Sequence, residues 1–132
     1  MARRLILPPE FRSAHEKLKF SPGVVSGGHL FLTGMTGSDL DGQMPQEAEA
    51  QFRNAFAKIG LVLREAGLTF RSVAEMTTYH VGLRDHFELF DAVRLDHFEE
   101  PYPAWTAVEV AGLRRAGAVV EIRTVASTDP DP

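Results

Sequence analysis

The segment Val119-Val120-Glu121-Ile122-Arg123-Thr124 sets a carboxylate and a guanidinium two residues apart, and Pro103-Ala104-Trp105-Thr106-Ala107-Val108-Glu109-Val110 sets the only tryptophan of the chain near a second carboxylate. A carboxylate shielded from water can move protons, a guanidinium can fork onto an anion, and an indole can stack on a flat or cationic ligand. Most other chemistries are missing. The chain has no cysteine, which excludes disulfides, thiolate nucleophiles and cysteine-bound zinc. His86 and His97 stand eleven positions apart on one expected helix, roughly 16 Å at about 1.5 Å per residue, too far to share a metal. His97 has apolar neighbours and reads as a hydrogen-bonded, half-buried residue. His80 follows Tyr79 in an expected strand and is a further catalytic option if it faces a cleft. There is no His-Glu-x-x-His, no phosphate-cradling glycine loop and no Gly-x-Ser-x-Gly. Neither a metal nor a cofactor is expected.

Behind these residues stand 132 residues, 44% hydrophobic and 24% charged, the profile of one globular domain spanning 1–132. A net charge of −4 argues against a nucleic-acid partner, and Arg114-Arg115 reads as a solvated turn. No apolar run approaches a membrane span, and Pro8-Pro9 interrupts the one after Arg3-Arg4, so a cytoplasmic protein is expected.

Residues 1–19 read as an irregular arm with a short edge strand, and 128–132 as a tail. Val24-Val25 and Leu30-Phe31-Leu32 flank Gly27-Gly28, a pair that suits a tight hairpin, and Ser38-Asp39-Leu40-Asp41-Gly42 is a loop. Phe52, Phe56, Ile59, Leu63 and Ala66 recur every three or four residues, predicting a helix over 46–66 that Gly67 ends. A strand follows over 72–81. Asp85 and Glu88 resemble a capping box opening a second helix, and two strands over 104–110 and 118–126 close the chain.

The order is β-β-α-β-α-β-β, an α+β fold whose right-handed crossovers put both helices on one face of a mixed sheet. Alternation sorts Thr106, Val108 and Val110, with Val120, Ile122, Thr124 and Ala126, beneath the helices. Trp105, Glu109, Glu121 and Arg123 are then expected to share the helix-free face. That face is too apolar to leave wet, so burial between identical subunits is expected, with a site at their boundary.

Taken in order, Phe20-Ser21-Pro22-Gly23-Val24-Val25-Ser26-Gly27-Gly28-His29-Leu30-Phe31-Leu32-Thr33-Gly34, Leu63-Arg64-Glu65-Ala66-Gly67, Thr77-Thr78-Tyr79-His80-Val81, the Trp105 segment and the Glu121 segment resemble the RidA family, also called YjgF/YER057c/UK114, from about Lys19 to Ser127. The resemblance implies a chorismate-mutase-like fold, a homotrimer with clefts between subunits, and cofactor-free hydrolysis of reactive enamines and imines such as 2-aminoacrylate. Glu121 matches the glutamate that handles water, Thr33 and Gly34 a small pair lining the cleft, and Phe20 an aromatic at its mouth. Trp105 falls where the deaminases carry the arginine gripping the substrate carboxylate, and Ala107 where some carry cysteine. Losing such a clamp commonly costs roughly 2–5 kcal/mol, on the order of thirty- to several-thousand-fold.

These matches imply a deaminase-like hydrolase of an imine or related carbonyl metabolite, with Glu121 catalytic and with Phe20, Thr33, Gly34, Trp105, Ala107 and Arg123 contacting substrate. Trp105 implies a substrate other than 2-aminoacrylate, for which 2-aminomuconate is one option. Arg123 is a candidate for a displaced clamp or half of an interface ion pair. Glu121 has an alternative as an interface carboxylate, and Trp105 as interface filler. Two other functions remain: a non-catalytic trimer binding small molecules in the same clefts, and an endoribonuclease, against which the acidic charge argues.

Overall fold

A computed structural model describes residues 2–130; Met1 and residues 131–132, the extremes of the expected arm and tail, lie outside the described residues. The strands are β1 (Arg4–Ile6), β2 (Gly23–Ser26), β3 (His29–Leu32), β4 (Met35–Thr36), β5 (Val73–His80), β6 (Ala104–Glu109) and β7 (Val120–Ser127). The α-helices are α1 (Arg12–Leu18), α2 (Ala48–Glu65) and α3 (Leu83–Leu95). Among the described residues one mixed sheet runs β1-β2-β3-β7-β5-β6, with β4 also paired to β7. The expected α+β order is present, β1 is the short edge strand expected in the arm, and α1 and β4 are added to it.

Local chemistry explains the central elements. Gly27 and Gly28 take φ of 61° and 81°, the two positive angles that a two-residue hairpin between β2 and β3 requires. On α2 the stripe Phe52, Phe56, Ile59 and Leu63 is fully buried, and Gly67 at φ 76° ends the helix. Phe90 and Val93 of α3 meet that stripe; Phe90 lies edge-on to Phe52 at 5.1 Å. Each buried phenylalanine contributes roughly 1.5–3 kcal/mol by leaving water.

Two expectations fail at element ends. Residues 12–18 are helical rather than irregular, but α1 buries none of its side chains and therefore has no apolar period to read. Its limits are set by backbone: Pro9 begins the preceding turn, and Lys19 at φ 59° stops the helix. The second helix opens at Leu83 without a side-chain cap from its own first turn. Its cap comes from across the fold, where Leu83 N–H donates to Glu109 Oε1 of β6 at 2.7 Å.

Candidate active site

A cavity of about 560 Å³ opens where β3, β4 and β7 meet α1 and α2, and Phe20, Thr33, Gly34 and Glu121 all line it. That volume lies within the range of small-molecule sites. Strands β3 and β4 are two pieces of one line along β7: Phe31 pairs with Val125, Met35 with Ile122, and Thr33-Gly34 form the break between. The break brings Gly34 against the Glu121 side chain. A Cβ at Gly34 would collide with the Glu121 carboxylate, so the smallest residue is what leaves this acid its place. Glu121 is half-buried and has no hydrogen-bond or ion-pair partner among the described residues.

Other walls come from the segment that the sequence reads as an irregular arm. Phe11, Ala14 and Leu18 reach the cavity from α1 and the turn before it. Phe20 follows directly, its carbonyl accepting from His15 Nδ1 at 2.7 Å. The polar side is built by α2. Gln51 Nε2 donates to the carbonyls of Pro45 and Gly117, at 2.7 and 2.9 Å, while its Oε1 accepts from Val119 N–H at 2.8 Å. Asn54 Nδ2 donates to Gly37 O at 3.0 Å, and Lys58 Nζ donates to Ser38 Oγ at 3.0 Å. These residues are spaced by three and four, one stripe of the helix beside its apolar face. Such a polar stripe was the signal available in the sequence.

The stripe fixes the loops carrying the remaining polar groups. Asp39 Oδ1 accepts from the N–H groups of Asp41 and Gln43, each at 2.9 Å, which folds the loop after Ser38. Arg115 Nη2 donates to Gly42 O at 2.8 Å and joins that loop to the one before β7. Arg114 and Arg115 therefore line the cavity instead of forming a merely solvated turn. Lys58 is 8% exposed, and burial, helped by Arg115, pushes its ammonium down to about 8; Asp39 and Glu121 oppose that fall.

The expectation that Trp105 and Glu121 share a sheet face is overturned. In the parallel pairing of β5 with β6, Trp105 stands opposite Met76, Ala107 opposite Thr78, and Glu109 opposite His80. Met76, Thr78 and His80 are buried beneath the helices, so Trp105, Ala107 and Glu109 project to that side. Glu121 pairs with Tyr79 on the other side, among Thr106 and Val108. Parity failed because β6 is an edge strand. Its apolar Val108 is left 36% exposed, while α3 supplies Glu109 with a helix end and Trp105 with aromatic neighbours.

Trp105 and Ala107 accordingly do not line the Glu121 cavity within a protomer. The indole N–H donates to Thr78 Oγ1 at 2.9 Å, its ring stacks on Phe87 at 5.7 Å, and the Arg94 guanidinium lies 4.5 Å from its centroid. His80 does not face a cleft either. It is fully buried, sharing hydrogen bonds with Thr78 Oγ1 at 2.7 Å and His86 Nε2 at 3.0 Å; burial first, then His86, pushes it down to about 4. Arg123 shares the face of Glu121 but lies outside the cavity, 3.7 Å from Glu75. His97 is hydrogen-bonded to Val93 O at 3.0 Å and stacked on Phe56. Among the described residues no helix is long and apolar enough to cross a membrane, and no group of three potential ligands gathers for a metal.

A mixed sheet with α2 and α3 on one face and a carboxylate-bearing cavity at a strand break is the arrangement of the YjgF/RidA type. The chain belongs to that family: the family model described as endoribonuclease L-PSP matches residues 12–128. It is 34% identical over 125 residues to the RutC family protein YjgH of Escherichia coli K12, covering 94% of each chain. It is 29% identical over 113 residues to a 2-iminobutanoate/2-iminopropanoate deaminase of Bos taurus, covering 84% of this chain and 81% of that one. A solved structure of protein YJGH superposes with a TM-score of 0.89 at 32% identity, covering 99% of this chain and 100% of the other.

Proposed function

We propose that the chain hydrolyses a reactive imine or enamine to a carbonyl compound and ammonia, with Glu121 as the proton-transfer group. The observation that carries this reading is an unpaired Glu121 carboxylate on the wall of an open cavity, given room by Gly34. A relative named as an imine deaminase supports the reaction class. In the proposed sequence an enamine first takes a proton at carbon and releases one from nitrogen to become an imine. Water then attacks the imine carbon while Glu121 accepts its proton. Glu121 returns that proton to nitrogen, and the hydroxyl of the resulting tetrahedral adduct gives its own proton to nitrogen. The C–N bond breaks with its electron pair leaving on ammonia, and the carbonyl remains. No oxidant or cofactor enters the balance. A proton-transfer group placed within reach commonly contributes about 10²–10⁴-fold.

Identical copies are proposed to pack through the helix-free face as a homotrimer. Leu5 and Phe31, 44% and 41% exposed, flank Val24 and Val125 there, an apolar surface of the kind that marks interfaces. Trp105 is proposed as a structural anchor of α3 on β6 rather than a substrate contact of its own cavity. Its bonds to Thr78, Phe87 and Arg94 support that role. The reading is tested by ammonia release from dehydratase-generated imines, comparing the parent with Glu121→Gln. Keto-acid binding with no turnover of any imine would favour the non-catalytic binder instead.

A further inference from the structure

We propose that Lys58 is the anion-holding residue of the cavity: its ammonium, steadied by Ser38 and backed by Arg115, takes the carboxylate of the imine or enamine that reacts beside Glu121. The proposal rests on the hydrolase reading for the reaction, though not for the binding.

A lysine is seldom buried without a carboxylate partner. Lys58 sits on the inner stripe of α2 with Ser38 Oγ as its hydrogen-bond partner, which engages one of three donors. No carboxylate lies within ion-pair distance among the described residues. Its charged neighbours increase the cost. Arg115 and Arg114 line the same cavity, and Arg115 is felt at Lys58 as like-charge repulsion.

The nearby acids do not neutralise this cluster by contact. Asp39 Oδ1 is committed to two backbone N–H groups, and Glu10, also on the wall, faces Arg64 at 4.0 Å. Three cations and three carboxylates, Glu10, Asp39 and Glu121, line the cavity, and none of those acids forms an ion pair with Lys58. The unpaired lysine matches what a small anion needs: a buried point charge with further cations on the same wall.

The position at which the resemblance expects a clamp holds Trp105, which projects to the other side of the sheet. Lys58 supplies the missing charge from α2, and Gln51 and Asn54 on the same stripe hold the surrounding loops in place before any ligand arrives.

The experiment is calorimetric titration of the full chain with pyruvate, a carboxylate-bearing product of this reaction class, and with acetone as the uncharged counterpart. The parent is expected to bind pyruvate better than acetone. Lys58→Met is expected to bind pyruvate at least about ten-fold more weakly, the loss of one charge-assisted contact. Lys58→Arg is expected to recover part of it. Parent affinity is expected to fall as pH rises through about 8, where Lys58 loses its proton, and Lys58→Met to lack that fall. The groups acting on Lys58 in that range are Arg115, Asp39 and Glu121.

Pyruvate binding by Lys58→Met at parental strength overturns the proposal, as does a parent that binds pyruvate no better than acetone. Should Lys58→Met fail to fold, the parent's own pH titration decides: affinity unchanged between about pH 7 and 9.5 overturns the clamp. Lys58-dependent pyruvate binding without turnover of any imine keeps the clamp and ends the hydrolase reading. Turnover with an unchanged KM in Lys58→Met does the reverse.

Discussion

Lys58 and Glu121 carry opposite charges on the wall of one cavity and form no ion pair. The lysine comes from α2 on the helix-covered side, and the glutamate comes from β7 on the bare side, next to the break at Thr33-Gly34. Two unmatched charges divided by open space are costly to a fold and useful to a ligand that bridges them.

The Lys58 charge makes the first prediction one of stability. Its folded value of about 8 lies below the ordinary 10.5, so between those values the unfolded chain holds more protons and stability rises with pH. Below about pH 8 the burial penalty is fully present, on the order of 3 kcal/mol. Lys58→Met is therefore expected to be more stable than the parent by roughly 1–3 kcal/mol at pH 7. Urea denaturation at pH 7 checks this, and the advantage should shrink by pH 10.

Gly34→Ala addresses the other charge. The added methyl would collide with the Glu121 carboxylate, which has to leave its position because the backbone of β4 is paired to β7. Imine hydrolysis is expected to fall at least about ten-fold, since a displacement on the order of 1 Å can cost a hundred-fold. Steady-state assays of Gly34→Ala measure this, with circular dichroism confirming the fold.

Trp105→Arg is expected to destabilise rather than to restore a clamp. It removes the bond to Thr78 Oγ1 and the stack on Phe87, and it sets a second cation beside Arg94. A loss of roughly 2–4 kcal/mol is predicted from the deletion of a packed aromatic, read from the urea midpoint.

His80 gives an acid limit. Burial lowers it from 6.5 to about 4, so the folded chain binds fewer protons than the unfolded chain between those values. Its contribution is intact above about pH 6.5 and declines as pH falls toward 4. The parent's stability should drop across that window, and a His80→Gln variant should drop less, by urea melts at pH 7 and pH 5.

Much of this was legible in the sequence because periodicity reports burial. The α2 stripe, the Gly27-Gly28 hairpin and the alternation of Val120, Ile122, Thr124 and Ala126 all follow from one face meeting the core. The same rule also placed Glu121 correctly on the helix-free side. It misassigned β6, where an edge strand exposes Val108 and buries half of Trp105 under α3. The cap from Glu109 to Leu83 spans twenty-six positions and carries no local signature. Arg114 and Arg115 read as a solvated turn and Lys58 carried no signal of its own, because their convergence depends on two loops tied to Gln51.

The central claim is that Glu121 transfers the proton of an attacking water. Its most direct measurement is the rate of ammonia release from freshly generated 2-iminobutanoate and 2-iminopropanoate and from longer imines, for the parent and for Glu121→Gln. The account predicts turnover by the parent on at least one imine and a loss of about a hundred-fold or more in Glu121→Gln, with the urea midpoint unchanged. Equal rates in the two proteins would contradict it.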